Sequence, residues 1–229
     1  MQLRAVSRYY QRGLQDFFTR RVLLIALFPF ALVLALFAGE LAVSIVWLLP
    51  WLGAQFRWLE GEIATVVVNI LLGLGLAGFF AIINILLAVT LIGVFFTEEL
   101  VAHVNDKYYR RKLAPFGTNW LIVGYSLMAF FKFLALFLLL SPLYLIPAVN
   151  LVAFAIPPFL YFKGSVVFDV GSQSVSRQEY SDTLAHQNKT LYLMTIPLYL
   201  LSYLPVIGIF SYIYAFLVMA HFFLDRQPA

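Results

Sequence analysis

Long runs of residues without a charged side chain constrain this sequence more than any other feature. Six such runs, each of at least 16 residues, hold about two-thirds of the 229 residues. A helix of about 20 apolar residues crosses the hydrocarbon core of a bilayer, and only helices or closed barrels satisfy their backbone groups there. The pattern predicts an all-α polytopic membrane protein. The runs are 22–39, 41–56, 63–97, 113–131, 133–162 and 190–224.

Composition excludes several other classes of protein. Charged residues make up 11% of the chain and hydrophobic residues 63%, whereas a soluble domain carries about 25% charged residues. A disordered chain, a disulfide scaffold and an ordinary soluble enzyme are therefore excluded. The chain has no cysteine, which rules out disulfides and thiolate metal sites. The net charge of +4 comes from basic residues beside apolar runs, so we expect it to orient the protein in a lipid bilayer, with no nucleic-acid partner.

The first 19 residues have the pattern of an amphipathic helix. Apolar residues recur at spacings of three and four, and three arginines form a stripe on another face. Such a helix is expected to lie at the membrane interface, with its arginines near anionic headgroups. The apolar positions are Leu3, Val6, Tyr10, Leu14 and Phe17, and the arginines are Arg4, Arg8 and Arg12.

Two long transmembrane helices are predicted next, over 22–49 and 63–96. Pro29 should kink the first helix, and Trp47 and Trp51 mark its far interface. The second would be about 51 Å long, which exceeds a hydrocarbon core of about 30 Å. It must therefore tilt, bend or project beyond the bilayer.

Two proline-broken helical hairpins are predicted in the second half, over 113–162 and 190–224. Prolines divide each apolar run, so neither run should form one uninterrupted helix. The segments 146–151 and 204–209 share one pattern, with a proline followed by Asn150 in one and Gly208 in the other. These two residues tolerate left-handed backbone and would form the tips. Either the hairpins re-enter the membrane from one side, or they form four thin, tilted spans. The breaking residues are Pro142, Pro147, Asn150, Pro157 and Pro158 in the first run, and Pro197, Pro205 and Gly208 in the second.

The distribution of Lys and Arg predicts the orientation of this single membrane domain, 1–229. With the N-terminus in the cytoplasm, two spans return the chain to that side, and either kind of hairpin keeps it there. Arg57 is then the only basic residue that faces outward. Cytoplasmic loops are enriched in Lys and Arg, so both termini are expected in the cytoplasm.

No pattern in the sequence predicts an enzyme or a cofactor site. There is no GxSxG motif to position a nucleophile. Glu98, Glu99, His103 and Asp106 resemble a metal-binding cluster, but Lys and Arg residues follow at once. A carboxylate and an imidazole one helical turn apart supply only two ligands, so a solvated face is favoured over a metal site.

Three ionisable residues lie within or beside the apolar runs. They are Glu40, Lys132 and His221. Burying Lys or Asp at the middle of a membrane helix costs about 2.5 to 3.5 kcal/mol, which makes such residues functional candidates. The competing explanation is that all three reach an interface, by snorkelling in the case of Lys132. In the functional interpretation, Lys132 supplies positive charge along a polar path.

Thr19, Arg20 and Arg21 form the candidate substrate-binding segment. Thr19 is a possible N-cap of the first long helix, and the arginines follow directly. Guanidinium groups and the free amides of a helix N-terminus together bind oxyanions. The alternative is that both arginines contact lipid phosphate on the cytoplasmic side.

Several segments together resemble the CysZ family of bacterial sulfate-uptake membrane proteins, which is related to the eukaryotic etoposide-induced proteins. Residues 20–25 resemble the basic pair leading into the family's first long helix. Residues 96–100 with Val104 resemble the end of its second helix. Phe168 and Asp169 resemble the aspartate after its first hairpin, and the two proline tips resemble its turns. The similarity covers about residues 13 to 224.

The resemblance implies a fold with two long transmembrane helices and two partly penetrating hairpins, which assembles as homo-oligomers in the bacterial inner membrane. It also implies passage of sulfate or a similar oxyanion for sulfur assimilation. In that family a Gly-Leu-Arg segment before the first long helix binds sulfate, and Phe18, Thr19 and Arg20 occupy those positions here. The alternative hypothesis is a non-transporting scaffold that organises the bilayer.

Overall fold

The computed structural model of the chain is all-helical in its regular structure and confirms the predicted all-α membrane class. It describes residues 2–55, 66–67, 70, 72–73, 76, 80, 91–146, 149–204 and 207–225, and these contain no β-strand. The α-helices are α1 (Gln2–Phe17), α2 (Arg20–Val43), α3 (Leu49–Gln55), α4 (Thr97–Val104), α5 (Asn119–Leu140), α6 (Val149–Ser174), α7 (Arg177–Leu201) and α8 (Ile207–Leu224). Three single-turn π-helices, Ser44–Leu48, Ile92–Phe96 and Asn105–Tyr109, and one 3-10 helix, Ser141–Leu145, complete the described elements.

The chain divides into two compact units. One comprises Met1–Ala26 and Thr90–Ala229, and the other comprises Leu27–Val89. The boundary falls within α2. The segment Thr19–Arg21, Asp16 and Asp169 all lie in the first unit.

Helices α2 and α3 and the π-helix between them supply the first membrane-crossing candidate, Arg20–Trp51. It has 32 residues and is apolar enough to cross a bilayer. The helix continues through Pro29, and Trp47 and Trp51 are both exposed. The prediction of a second long helix over 63–96 lies mostly outside the described residues. Its last five residues, Ile92–Phe96, form a π-helix that continues into α4.

Helices α5 and α6 form the first hairpin, and both are long enough to cross a membrane. The apolar stretches are Trp120–Tyr144, with 25 residues, and Val152–Ser174, with 23. The chain turns through the 3-10 helix Ser141–Leu145. Pro157 and Pro158 lie inside α6 without ending it, so the prediction that they break the helix is wrong. Membrane helices tolerate proline where neighbouring helices and local backbone adjustments satisfy the freed carbonyl groups.

Helices α7 and α8 form the second hairpin, which is shorter in its apolar part. A capping box begins α7, because the Ser176 and Glu179 side chains each bond the other's backbone N–H. The helix bends at Gln187, where the backbone is non-helical, with φ −126° and ψ 18°. Only the part of α7 after Lys189, two residues beyond this bend, is free of charge. Pro197 lies inside α7, so here too the predicted break is wrong.

None of the described residues at the two hairpin tips has a left-handed backbone conformation. Asn150 lies in the first turn of α6, and Arg110 is the only described non-glycine residue with positive φ. Gly208 lies in α8, where a Cβ atom would overlap the carbonyl oxygen of Ser202. Close backbone approach, rather than a left-handed conformation, therefore requires glycine at 208. Residues 147–148 and 205–206 lie outside the described residues.

The core of the first unit surrounds α8. This helix packs against α1, α4, α6 and α7. All residues from Ala215 to Leu224 are buried, including Phe216, Phe222 and Phe223. Helix α8 is hydrophobic all round, as expected of a helix enclosed by other helices. Helix α8 has only 18 residues, and the N-terminal helix α1 packs directly against it.

Two glycines in the first hairpin offer a test of this packing. A Cβ atom at Gly171 would lie 2.6 Å from a ring carbon of Tyr180 and 3.0 Å from Phe223, whereas one at Gly124 would meet nothing within 4 Å. We expect Gly171→Ala to lower the stability by about 1–3 kcal/mol through overpacking. Gly124→Ala should raise it by up to about 1 kcal/mol through helix propensity. Thermal unfolding in detergent measures both, and shifts of the same sign would contradict the packing around Tyr180.

Candidate functional site

The segment Thr19–Arg21 lies at the corner between α1 and α2. The carbonyl of Thr19 accepts a hydrogen bond from the Leu23 N–H at 3.0 Å, as expected of an N-cap residue. Its own N–H and hydroxyl donate to the carbonyl of Asp16, at 2.9 and 2.7 Å. Thr19 thus joins the last turn of α1 to the first turn of α2, and Arg20 and Arg21 emerge from that turn.

Arg21 forms an ion pair with Glu99. Its Nε and Nη2 atoms both donate to Oε1 of Glu99, at 3.1 Å each. The two side chains are 55% and 42% exposed. Water and salt therefore screen the pair, and exposed pairs contribute about 0–1 kcal/mol. The contact orients the guanidinium between α2 and α4, but it is weak enough to exchange for another anion.

Arg20 is exposed and, within the described part of the chain, makes no hydrogen bond or ion pair. Its guanidinium group therefore has five N–H donors facing solvent or lipid headgroups. Arg20 and Arg21 together place two permanent positive charges at the N-terminal end of α2. That arrangement suits a tetrahedral oxyanion, which guanidinium groups bind through paired hydrogen bonds.

Lys132 is not brought to the arginine pair by any described contact. It is exposed on α5 and, in the described ranges, has no ion-pair partner. Glu40 belongs to the second unit, where it lines an apolar groove of about 720 Å³ with Trp47 and Trp51. The polar path proposed for Lys132 from sequence therefore stays a prediction.

Asp16 is the centre of a buried charge network that the sequence analysis did not identify. Its side chain is fully buried and accepts three hydrogen bonds. Lys107 Nζ donates to Oδ1 at 2.6 Å, the Tyr108 hydroxyl donates to Oδ1 at 3.0 Å, and His221 Nε2 donates to Oδ2 at 2.9 Å. The network connects the end of α1 to the π-helix Asn105–Tyr109 and to α8.

The partners of Asp16 determine its charge state. Burial acts to raise the pKa of Asp16, but the hydrogen bonds from His221 and Lys107 outweigh it, and that pKa falls below its ordinary value of 3.8. The hydrogen bond to Asp16 raises the pKa of Lys107 above 10.5. Both groups are therefore charged at neutral pH. The Asp16–Lys107 ion pair adjoins the arginine segment, because Thr19 donates to the carbonyl of Asp16.

A second set of contacts holds α1 on α8. The Tyr109 hydroxyl lies 3.1 Å from His221 Nδ1, and Arg12 donates to that hydroxyl at 3.4 Å. The Tyr9 hydroxyl donates to Asp225 at 2.8 Å. A Cβ atom at Gly13 would lie 2.8 Å from a methyl group of Val218. The face of α1 that carries Gly13 therefore packs closely on α8.

The buried face of α1 differs from the predicted apolar stripe. Tyr9, Gly13 and Asp16 are buried, whereas Leu14 is 49% exposed. Phe18, in the turn that follows, is also exposed. The face bearing Leu14 remains available to lipid, so the membrane-surface location of residues 1–19 stays a prediction.

His103 and its neighbours are the sequence's candidates for a metal-binding cluster. Among the residues that the structure describes, they belong to no group of three or more His, Cys, Asp or Glu side chains that could hold a metal ion. Glu99 pairs with Arg21 instead. Burial lowers the pKa of His103, and although Asp16 acts in the opposite direction, Lys107 and Arg21 add to the lowering. His103 is therefore neutral at physiological pH.

One signal in the sequence could have identified Asp16. It is the only acidic residue before Glu40, in a segment that contains five arginines. A single acid on an amphipathic basic helix suggests a specific partner. Its partners Lys107 and His221 could not be found in the same way, because they lie 91 and 205 positions away.

Comparison with known proteins identifies the family. Residues 9–212 match the family described as "Sulfate transporter CysZ/Etoposide-induced protein 2.4". No curated protein matches the chain significantly. The match includes the corner between α1 and α2, the ion pair of Arg21 with Glu99, the first hairpin, and the second hairpin as far as the first turns of α8, and it confirms the resemblance noted from the sequence. The chain therefore belongs to the CysZ/etoposide-induced protein 2.4 family of membrane proteins.

Proposed function

We propose that the protein is a membrane permease or channel for sulfate or a related oxyanion that supports sulfur assimilation. Its place would be the bacterial inner membrane, with both termini in the cytoplasm. Membership of a family described as sulfate transporters supports this function. Three helices long and apolar enough to cross a bilayer support the membrane location. The exposed arginine pair at the start of α2 is the observation that carries the choice of an anion.

Arg20 and Arg21 would capture the anion at the cytoplasmic end of α2. The guanidinium of Arg20 is exposed, and that of Arg21 is held by Glu99 in a solvent-screened pair. An arriving dianion would bind Arg20 and compete with the single carboxylate of Glu99 for Arg21. Thr19 would keep the two arginines at the first turn through its bonds to Asp16 and Leu23.

Assembly with further copies of the chain is part of the proposal. Within one chain, only 11% of the most apolar stretch of Trp120–Tyr144 is buried. Lys132 lies exposed within this stretch. A charged side chain facing lipid at mid-helix is unfavourable, so contact with another copy or with a polar path would shield it. Lys132 remains the weaker candidate for contact with the anion.

Sulfate uptake into proteoliposomes tests the function. We expect wild-type protein to give saturable uptake of labelled sulfate, which unlabelled sulfate inhibits and an equal concentration of chloride does not. Protein-free vesicles prepared in the same way provide the control. Uptake no greater than in those vesicles would contradict the transport function.

A bilayer-organising scaffold of the same fold is the alternative. The short apolar part of α7 after Gln187 and the exposed Leu14 and Phe18 of the N-terminal region favour it. Such a protein would change vesicle curvature or size in a lipid-dependent manner and would bind no anion saturably. Neither function requires an enzymatic step or a cofactor.

A further inference from the structure

Three buried oxygen atoms lie close together between α6 and α8 and have no hydrogen-bond partner outside their own group. They are Oδ1 of Asp169, the hydroxyl of Ser165 and the hydroxyl of Tyr212. Their residues are only 1%, 1% and 6% exposed. Buried polar groups in proteins are almost always paired, and each exception calls for an explanation. A buried carboxylate oxygen without a partner, beside two hydroxyls that have only each other, indicates a ligand that the protein atoms do not supply.

The three groups are close neighbours in the fold. Ser165 and Asp169 are four residues apart on α6 and so share a face of the helix. The Tyr212 hydroxyl of α8 lies within hydrogen-bonding reach of the Ser165 hydroxyl, and Tyr212 is close enough to Asp169 to interact with its charge. Its ring contacts Phe162, at 5.3 Å between ring centroids, one turn earlier on α6.

A glycine lies against the other oxygen of the Asp169 carboxylate, Oδ2. A Cβ atom at Gly93 would lie 2.6 Å from Oδ2 of Asp169. The backbone of the π-helix Ile92–Phe96 therefore approaches the carboxylate more closely than any other residue type would allow. π-Helical turns are frequent at functional sites.

No positive charge balances this carboxylate in the described part of the chain. The ionisable groups near Asp169 are tyrosines from the surrounding helices: Tyr125 of α5, Tyr180 of α7 and Tyr212 of α8. No described Lys, Arg or His forms an ion pair with it. Burying an isolated carboxylate costs far more than a folded protein's net stability, so the charge must be neutralised.

We propose that Asp169, Ser165 and Tyr212 form a buried binding site for a monovalent cation, either a proton or an alkali-metal ion. One carboxylate balances one positive charge, and a divalent ion would leave a buried excess. Carboxylate and hydroxyl oxygens are the hard donors that such ions prefer. The site lies in the hairpin region, away from Arg20 and Arg21 in sequence, and its existence does not depend on anion transport.

Thermal unfolding of the purified full-length protein tests the site. Melting temperatures are compared in sodium, potassium and choline chloride at equal ionic strength, and the infrared band of a protonated carboxylic acid is followed over a pH series. If an alkali ion binds, we expect wild type to melt about 5 °C higher in its chloride than in choline chloride. If a proton binds, the infrared band is present and titrates.

Asp169→Asn removes the charge and keeps the shape of the side chain. We expect this variant to lose the cation response and the infrared band, while melting at or above the temperature of wild type in choline chloride. Asp106→Asn, at an exposed carboxylate, is the matched control and should retain both signals. Ser165→Ala and Tyr212→Phe each remove one oxygen and should weaken the response to an alkali ion or shift the titration of the band.

Each outcome decides the proposal. A salt response lost in Asp169→Asn assigns an alkali ion, and a titrating band lost in that variant assigns a proton. Absence of both signals in wild type overturns the site, as does their persistence in Asp169→Asn. If Asp169→Asn fails to fold, unchanged signals in both Ser165→Ala and Tyr212→Phe overturn it.

Discussion

Replacing Asp16 by alanine is expected to lower the apparent melting temperature of the purified protein by about 10 °C. The change removes the acceptor of three hydrogen bonds and leaves the fully buried Nε2 of His221 without its partner. Breaking a buried pair costs about 3–5 kcal/mol, and the partial exposure of Lys107 places this site near the lower end. Thermal unfolding in detergent, with loss of helical circular dichroism as the signal, measures the effect.

Asp106→Ala is the matched control for this experiment. Asp106 lies on the same π-helix as Lys107 but is exposed, so its loss should change the melting temperature by about 2 °C or less. Asp16→Asn keeps an acceptor oxygen without the charge, so its melting temperature should lie between those of Asp16→Ala and Asp106→Ala. Equal effects of Asp16→Ala and Asp106→Ala would contradict the buried network.

The same network predicts how stability depends on pH. The folded pKa of Asp16 is below 3.8, so its contribution is present above the unfolded pKa and is lost as pH falls through the lower folded value. The folded pKa of Lys107 is above 10.5, so its contribution is present below that value and is lost as pH rises through the higher folded value. The Asp16–Lys107 contribution should therefore be constant across neutral pH.

Much of the fold follows from the sequence because membrane helices depend on local composition. The charge-free runs at 113–131 and 133–162 together cover α5, apart from Lys132, and the first half of α6. A proline-containing turn at Ser141–Ile146 separates the two helices. Prolines 157, 158 and 197 were expected to end helices and do not. Local propensity fails at these positions because packing and backbone adjustment in membrane helices accommodate the missing N–H.

The packing of α1 could not be predicted from residue spacing. The amphipathic pattern places Leu14 on a stripe that faces lipid and does not predict a protein partner, whereas the helix turns Tyr9, Gly13 and Asp16 toward α8. This choice depends on the shape of Val218 and on a polar partner, His221, at the other end of the chain. A hydrophobic pattern does not show that Gly13 packs closely on Val218, or that Asp16 forms a hydrogen bond with His221, 205 positions away.

The residues of the candidate anion site could be predicted from the sequence, but the ion-pair partner of Arg21 could not. Arg20 and Arg21 stand out because they precede a long apolar helix, and the structure places both at its start. The pairing of Arg21 with Glu99 joins two segments 78 residues apart. Only the fold shows that Arg21 is paired with a carboxylate while Arg20 has no ion-pair partner among the described residues.

Loss of both arginines should have the largest effect on function. In the double variant Arg20→Ala with Arg21→Ala, we expect sulfate affinity to fall by at least about tenfold. Hydrogen bonds between charged groups contribute about 1.5–3 kcal/mol each, and the exposure of both arginines reduces that value. Isothermal titration of sulfate into the purified protein measures the affinity. Arg177→Ala, which removes an exposed arginine at the start of α7, is the matched control and should bind as wild type does.

Glu99→Gln should change affinity in the opposite direction. The substitution removes the carboxylate that competes for Arg21 and keeps a neutral side chain of the same size. We expect sulfate to bind about two- to fivefold more tightly, because an exposed pair contributes about 0–1 kcal/mol. The gain should shrink as salt concentration rises, since ions screen exposed charges.

Sulfate should be titrated into wild type and the double arginine variant side by side, in the same detergent and buffer, as the strongest test of the anion site. We expect saturable binding by wild type that weakens at least about tenfold when Arg20 and Arg21 are both replaced. Equal affinities in the two proteins would contradict the arginine pair as the anion site. Absence of saturable binding in folded wild-type protein would contradict the proposal that it recognises sulfate.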